Sequence, residues 1–274
     1  MMNWKQLISA KRFGMEEFHE ERQENRSEFQ RDYDRLIFSA PFRRLQNKTQ
    51  VFPLPGSVFV HNRLTHSLEV ASVGRSLGDD VAKALLERHP ELQDSFLPEI
   101  GSIVSAACLA HDLGNPPFGH SGEKAISTFF SEGKGVRLKE KQPNGEQLSP
   151  MEWEDLTHFE GNANAFRILT HQFEGRRKGG FVLTYTTLAS IVKYPFSSSL
   201  ARTKSKFGFF VSEEESFQKI ATELGLTLLN EHPLKYARHP LVYLVEAADD
   251  ICYQMMDIED AYKLKILTTE ETKE

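Results

Sequence analysis

Two histidines and two aspartates lie on otherwise apolar segments of this sequence, where their side chains could bind a metal ion. His66 begins a row of aliphatic residues at helical spacing, and His111 with Asp112 closes a second apolar segment. Asp249 lies on the apolar stripe of a third segment, and no lysine or arginine shares that stripe. Burying a carboxylate without a compensating cation is costly. A divalent ion would supply the missing positive charge.

The end of the second segment decides whether two neighbouring residues can share one ion. Side chains of adjacent helical residues diverge by about 100°, so His111 and Asp112 can both reach one ion only where the helix ends. Gly114 and Pro116-Pro117 predict such an end, and the C-terminal dipole of the helix favours a cation there. Two imidazoles and two carboxylates suit Mn²⁺, Fe²⁺, Co²⁺, Mg²⁺ or Zn²⁺.

Each of these residues also has an ordinary structural interpretation. A histidine on an apolar face is most often a hydrogen-bonded core residue, and an isolated His-Asp pair carries little information. Asp249 could be a protonated or hydrogen-bonded structural carboxylate, while its neighbour Asp250 is predicted to be solvated. Only the combination of four such groups on three inward faces indicates a metal site.

His120 and Glu123 form a second candidate pair. The turn Phe118-Gly119 precedes them, and their spacing of three residues places both on one face of a helix that begins near Ser121. Glu123 could then orient the His120 imidazole beside the metal. Their ordinary interpretation is a surface histidine and a helix N-terminal glutamate, and the residues alone do not decide between the two.

Helices are predicted to position all of these residues. Apolar periodicity and helix-ending residues predict helices over 15–35, 64–88, 102–113, 121–131, 151–176, 182–193, 213–226 and 239–262. Strand-like residues are scarce, and 50–52 with 57–60 could form one short β-hairpin. We therefore expect an all-α helical bundle with at most one hairpin. It forms a single domain over 1–274 with a polar mobile loop at about 133–150.

The composition excludes several classes of protein. The 274 residues include 33 basic and 39 acidic side chains, for a net charge of −6, which argues against nucleic acid as a partner. Cys108 and Cys252 are the only cysteines, so a disulfide scaffold is not expected. No segment predicts a membrane span or a signal peptide. We expect a cytoplasmic protein with no membrane partner.

Longer blocks around the candidate residues resemble a known family. The pattern of His66, His111-Asp112 and Asp249 is similar to that of the HD-domain metal-dependent phosphohydrolases. The blocks RDYDRLIFSAPFRRLQNKTQVFP, HNRLTHSLEV, AHDLGNPPFGHSGE, THFEGNANAFRIL and YLVEAADDICYQMMDIEDA resemble those of the deoxyguanosine triphosphate triphosphohydrolases and related dNTPases. The resemblance covers roughly residues 20–262.

The resemblance implies a specific reaction and a specific ligand set. The family hydrolyses a deoxynucleoside triphosphate at the α-phosphorus and releases the deoxynucleoside and intact triphosphate. It implies His66, His111, Asp112 and Asp249 as ligands of one divalent ion, with Mn²⁺ or Mg²⁺ first, and His120 with Glu123 as catalytic residues. It also implies a homo-oligomer and an allosteric nucleotide. The family's helical C-terminal part is expected to be absent from this chain.

The resemblance also implies contacts to the substrate. Tyr253 and Asp257 would contact the deoxyribose and Gln50 would lie near the 3′-hydroxyl, whereas ordinary helix amphipathicity or a strand edge would explain them equally. The implied phosphate contacts are Arg63, Lys193 and His158. Otherwise the first two are solvated charges and His158 is a capping or core residue. The basic cluster Arg31, Arg35, Arg43, Arg44 and Lys48 could face phosphates, although a solvated helix flank suits most of it.

Two other functions remain open at this point. One is another HD-domain phosphohydrolase, acting on a nucleoside monophosphate, a cyclic nucleotide or an alarmone, which the GNPPFGHSGE and HFEGNA blocks disfavour. The other is a nucleotide-sensing module without turnover, which the presence of all four implied ligands disfavours. The products formed from deoxynucleoside triphosphates would separate these functions.

Overall fold

The computed structural model describes residues 2–17, 26–49, 61–143, 145–175, 178–200 and 206–272. Helices dominate these stretches, which confirms the predicted all-α class. The α-helices are α1 (Trp4–Leu7), α2 (Glu28–Ile37), α3 (Ala40–Arg44), α4 (Arg63–Arg88), α5 (Ile100–Ala110), α6 (Gly119–Ser131), α7 (Pro150–Thr157), α8 (Gly161–Thr170), α9 (Tyr185–Ile191), α10 (Glu214–Glu223) and α11 (Val242–Lys263). Short 3₁₀ helices lie at Leu45–Asn47, Pro90–Leu92, Leu97–Glu99, Lys134–Lys139, Ser198–Leu200 and Val211–Glu213.

One antiparallel strand pair accompanies the helices. It consists of β1 (Leu228–Asn230) and β2 (Lys235–Tyr236), which follow α10. All three residues of β1 are exposed, whereas Tyr236 of β2 is buried in the core, so the pair lies at the edge of the core. The hairpin predicted over 50–52 and 57–60 lies outside the described residues.

Two predicted helices have different limits in the structure because side chains cap new helix starts. The prediction over 151–176 is wrong at its centre, where α7 ends at Thr157 and the Glu160 side chain caps the start of α8. The prediction over 15–35 is wrong at its start among the described residues. There α2 begins at Glu28, capped by Ser27, whose hydroxyl accepts from the backbone N–H of Gln30.

The remaining predicted helices are present with smaller changes at their ends. They correspond to α4, α5, α6, α9, α10 and α11. The clearest shortening is in 182–193, where Thr184 caps α9 and the helix covers only Tyr185–Ile191. The predicted loop at about 133–150 contains the 3₁₀ helix Lys134–Lys139, and its mobility stays a prediction.

Helix α5 forms the centre of the core, and every residue from Ile100 to Ala110 is buried. It packs against α2, α4, α9 and α11. The approach to α4 is close because a Cβ atom on Gly78 would lie 2.7 Å from the Cα of Gly101. Helix α5 is therefore buried on every side. No helix among the described stretches is long and apolar enough to cross a membrane. His111 directly follows the last residue of the tightly packed helix α5.

A buried polar network ties the N-terminal segment to this core. The Arg12 guanidinium donates to Oδ1 of Asp32 at 2.7 Å, and the backbone N–H and hydroxyl of Thr184 donate to Oδ2 at 2.9 and 2.6 Å. Asp32 is fully buried and Arg12 nearly so. Burial raises the pKa of Asp32, while Arg12 and Thr184 act in the opposite direction. The network joins the start of the chain, α2 and α9.

We expect Asp32→Ala to destabilise the protein by about 3–5 kcal/mol, because it removes one of the two carboxylates that pair with the buried Arg12 guanidinium and leaves the buried Thr184 donors without their acceptor. Urea unfolding would measure the change in free energy of unfolding. The control is Asp34→Ala, which removes an exposed pair with Arg26 (2.9 Å) and should cost less than about 1 kcal/mol. Equal losses in the two variants would contradict a special role for the buried network.

Candidate active site

Four side chains from three helical segments meet at one point. His66 lies in the first turns of α4, His111 and Asp112 follow α5, and Asp249 lies on α11. One ligand atom each from His66, His111 and Asp112 lies within 4.8 Å of the others. Oδ1 of Asp249 is 3.0 Å from Nε2 of His66 and 3.4 Å from Nε2 of His111. Neighbouring ligands of one octahedral ion bound at about 2.1 Å are about 3 Å apart, so His66, His111 and Asp112 suit a divalent ion and Asp249 lies close enough to both histidines to join them.

The hydrogen bonds of His111 prepare one of its nitrogens for a ligand. Its Nδ1 donates to the carbonyl of Cys108 at 2.6 Å, which leaves the lone pair on Nε2. Nε2 is buried and has no hydrogen-bond partner among the described residues, although two carboxylates lie within 3.6 Å of it. Buried polar atoms without partners are rare, so the donor set fits a metal ion.

Two cations that lie outside the apolar stripe of α11 contact the candidate carboxylates. The guanidinium of Arg63 donates to Oδ2 of Asp112, and Nζ of Lys193 is 3.4 Å from Oδ2 of Asp249. The expectation that these carboxylates lack a charge partner is therefore wrong. A helix face shows only the charges on its own element, whereas these cations come from α4 and the segment after α9. The metal hypothesis rests on the donor atoms instead.

The two carboxylates draw positive charge towards His111. Burial by itself lowers the pKa of His111, but Asp112 and Asp249 outweigh it and raise that pKa to about 9. Burial acts to raise the pKa of Asp249, but the two histidines and Lys193 outweigh it and hold that pKa well below its usual range. A proton or a metal ion is thus strongly attracted to Nε2 of His111.

These residues form one wall of a cavity of about 510 Å³. Nine of the predicted site residues line it, namely Arg63, His66, His111, Asp112, His120, Glu123, Lys193, Asp249 and Tyr253. Further lining residues are Asn115, Phe118, Gly119, Ser121, Glu160, Asn162, Tyr194, Lys206 and Asp250. The cavity therefore combines the candidate ligands with several cations.

His120 and Glu123 lie on α6 beside the candidate ligands. Nδ1 of His120 is 2.8 Å from Oε2 of Glu123, whose Oε1 accepts from the backbone N–H of Gly161 at 2.8 Å. Glu123 is buried, whereas the His120 side chain is 84% exposed and lies at the cavity mouth. Phe118 begins this helix with φ of 64°, an uncommon conformation for a bulky residue.

Sequence reasoning missed a cation and a carboxylate beside this pair. Nζ of Lys206 is 2.9 Å from Oε2 of Glu160 and 3.6 Å from Oε2 of Glu123. Glu160 is buried and also accepts from the side-chain amide of Asn162 at 2.6 Å. Glu160 and Asn162 belong to the HFEGNA block, which could have indicated them. No motif in our sequence analysis includes Lys206.

Two of the implied substrate contacts that the structure describes, His158 and Asp257, do not line this cavity. His158 directly follows α7, with Nδ1 3.3 Å from Oε2 of Glu154, so its prediction as a phosphate contact is not supported by its position. Asp257 does not line the cavity but is hydrogen bonded to Tyr253, which does. Gln50 lies outside the described residues. Asp250 is exposed at the rim, while Asp249 faces the histidines.

The basic cluster points to a different part of the molecule. Arg31 is 3.4 Å from a carboxylate oxygen of Glu28. The other four, Arg35, Arg43, Arg44 and Lys48, line a separate cavity of about 830 Å³ together with apolar residues. None of the five lines the cavity of the candidate ligands, so the cluster is not positioned for phosphates held there.

Comparisons with known proteins identify one matching family model and several relatives. The HD domain family matches residues 63–179, a range that includes His66, His111, Asp112 and His120. A deoxyguanosinetriphosphate triphosphohydrolase-like protein of Synechocystis is 46% identical over 97% of this chain and 61% of its own length. One from Pseudomonas aeruginosa is 46% identical over 99% and 60%, respectively.

A third relative, whose name lacks the word "like", has a lower sequence identity to this chain. The deoxyguanosinetriphosphate triphosphohydrolase of Yersinia enterocolitica is 36% identical over 98% of this chain and 57% of its own length. The chain therefore spans about 60% of the length of the curated relatives it matches.

Proposed function

We propose that this chain, which is similar to the HD domain family and to the deoxyguanosinetriphosphate triphosphohydrolases, hydrolyses deoxynucleoside triphosphates, dGTP first among them. The products would be the deoxynucleoside and intact triphosphate. The observation that carries the proposal is the meeting of two imidazoles, two carboxylates and the His120–Glu123 pair in one cavity.

The proposed metal ligands are His66, His111, Asp112 and Asp249. A divalent ion bound by them, Mn²⁺ or Mg²⁺ first, would supply Lewis acidity at the α-phosphate. Fe²⁺, Co²⁺ and Zn²⁺ also suit a donor set of two imidazoles and two carboxylates.

Other residues of the cavity have roles suited to a polyphosphate substrate. Arg63 and Lys193 would neutralise phosphate oxygens, because both cations line the cavity next to the candidate ligands. Tyr253 would contact the deoxyribose, and Asp257 would act through its hydrogen bond to Tyr253. Gln50 near the 3′-hydroxyl remains part of the proposal. His120 would transfer a proton, with its ring oriented by Glu123.

The test is product analysis with the metal-loaded protein and each of the four dNTPs separately. Because attack at the α-phosphorus leaves the three phosphates joined, we expect deoxynucleoside and triphosphate by chromatography. Orthophosphate should appear only after a triphosphate-degrading phosphatase is added. Direct release of orthophosphate with dNDP would indicate attack at the γ-phosphorus and would contradict the proposal.

The same assay addresses the two other functions. Turnover of a nucleoside monophosphate, a cyclic nucleotide or an alarmone, but of no dNTP, would favour another HD-domain phosphohydrolase. Nucleotide binding without any turnover would favour a sensing module. The proposal also includes a homo-oligomer, an allosteric nucleotide and a cytoplasmic location, all of which concern the whole protein.

A further inference from the structure

The segment that follows α5 carries two candidate metal ligands on a turn with little regular structure. Residues 111–114 form consecutive turns after the helix ends at Ala110. The backbone N–H of Leu113 donates to the carbonyl of Ala110 at 3.2 Å, and that of Asn115 donates to the carbonyl of Asp112 at 3.2 Å. The carbonyls of the next residues need other donors, because a helix end leaves such groups unpaired.

Side chains from distant parts of the chain supply these donors. Nζ of Lys48 donates to the carbonyl of Asn115 at 2.6 Å and lies 3.4 Å from that of Leu113. The side-chain amide of Asn164, on α8, donates to the carbonyl of Gly114 at 2.8 Å. Three consecutive carbonyls just beyond Asp112 are thus bound by side chains, two of them by one ammonium group.

Lys48 also contacts the other side of the candidate site. Its backbone carbonyl accepts from the backbone N–H of Arg63 at 3.1 Å, and the Arg63 guanidinium donates to Asp112. Asn115, whose carbonyl Lys48 binds, donates its side-chain amide to Oδ1 of Asp112 at 2.5 Å. Lys48 therefore contacts both Arg63 and Asn115, and each of these residues binds one carboxylate oxygen of Asp112.

We propose that Lys48 is a positioning residue for the candidate metal centre, which fixes the turn that presents His111 and Asp112. A cation next to the carbonyls beyond a helix C-terminus is electrostatically favourable. The ammonium group of a lysine has three N–H donors, so it can bind two carbonyls at once. The sequence suggested a phosphate contact or a solvated charge for Lys48. Its half-buried position against backbone carbonyls fits neither.

The test measures metal affinity, and it rests on the metal centre of the proposed function. We expect Lys48→Met to weaken Mn²⁺ binding by about 10- to 100-fold, as is typical when the support of a metal ligand is removed. Binding would be followed by electron paramagnetic resonance of free Mn²⁺. The thermal midpoint of the metal-free protein should stay near wild type. Lys48→Arg, which keeps a cationic donor, should restore most of the affinity.

Arg44→Met is the matched control, because it removes a cation next to Lys48 from the same 830 Å³ cavity without touching the turn. It should leave Mn²⁺ affinity near wild type. Wild-type affinity in Lys48→Met, or an equal loss in Arg44→Met, would overturn the role of Lys48 alone. Absence of Mn²⁺ binding by the wild-type protein would instead overturn the proposed metal centre, and this inference with it.

Discussion

Replacing His111 with alanine should remove the bound metal ion and lower dNTP hydrolysis by roughly three to five orders of magnitude. The reason is that Nε2 of His111 lies within 3.6 Å of a carboxylate oxygen of Asp112 and of Asp249, so it occupies the centre of the donor set. Groups that act as one unit lose most of their effect when a single member is removed. Metal analysis of the purified variant and steady-state kinetics with dGTP would measure the two losses.

Two controls separate ligand loss from general damage. His89→Ala removes a half-exposed histidine at the end of α4 and should change neither the metal content nor the rate. Asp249→Asn should lose the ion while Asp250→Asn keeps it, because Asp249 faces the histidines and Asp250 faces the rim. Full metal content in His111→Ala, or metal loss in Asp250→Asn, would contradict the ligand set.

Replacing His120 with alanine should lower kcat by about 10² to 10⁴ while the metal content and the thermal midpoint stay near wild type. His120 contacts none of the four candidate ligands but lies at the mouth of their cavity, 2.8 Å from Glu123. A positioned proton donor or base typically contributes this factor. Because the side chain is 84% exposed, its removal leaves no cavity in the core.

The partner of His120 provides the graded comparison. Glu123→Ala should lower kcat less than His120→Ala does, because in the proposed reaction Glu123 acts through the imidazole that it orients and polarises. Saturating metal and dNTP are needed so that kcat is compared separately from KM. Near-normal turnover in His120→Ala under these conditions would return the residue to the interpretation of a surface histidine after a turn.

Local chemistry explains which parts of the fold were predictable. The periodicity of α4 and α11 predicted long helices with His66 and Asp249 among the residues directed at the core, because one helical face must be apolar to be buried. The break between α7 and α8 was not predicted, because it depends on a glutamate that caps the second helix, a weaker signal than serine or aspartate.

The candidate site separates what the sequence determined from what only the tertiary structure decided. Residue types and helical faces indicated His66, His111, Asp112 and Asp249 as candidate ligands, since these are properties of single elements. The positions of Lys48, Arg63, Lys193 and Lys206 were not available in this way, because their partners lie 46 to 83 residues away in the chain. Which cation pairs with which carboxylate or carbonyl depends on how helices pack, and no periodicity within one helix reports that packing.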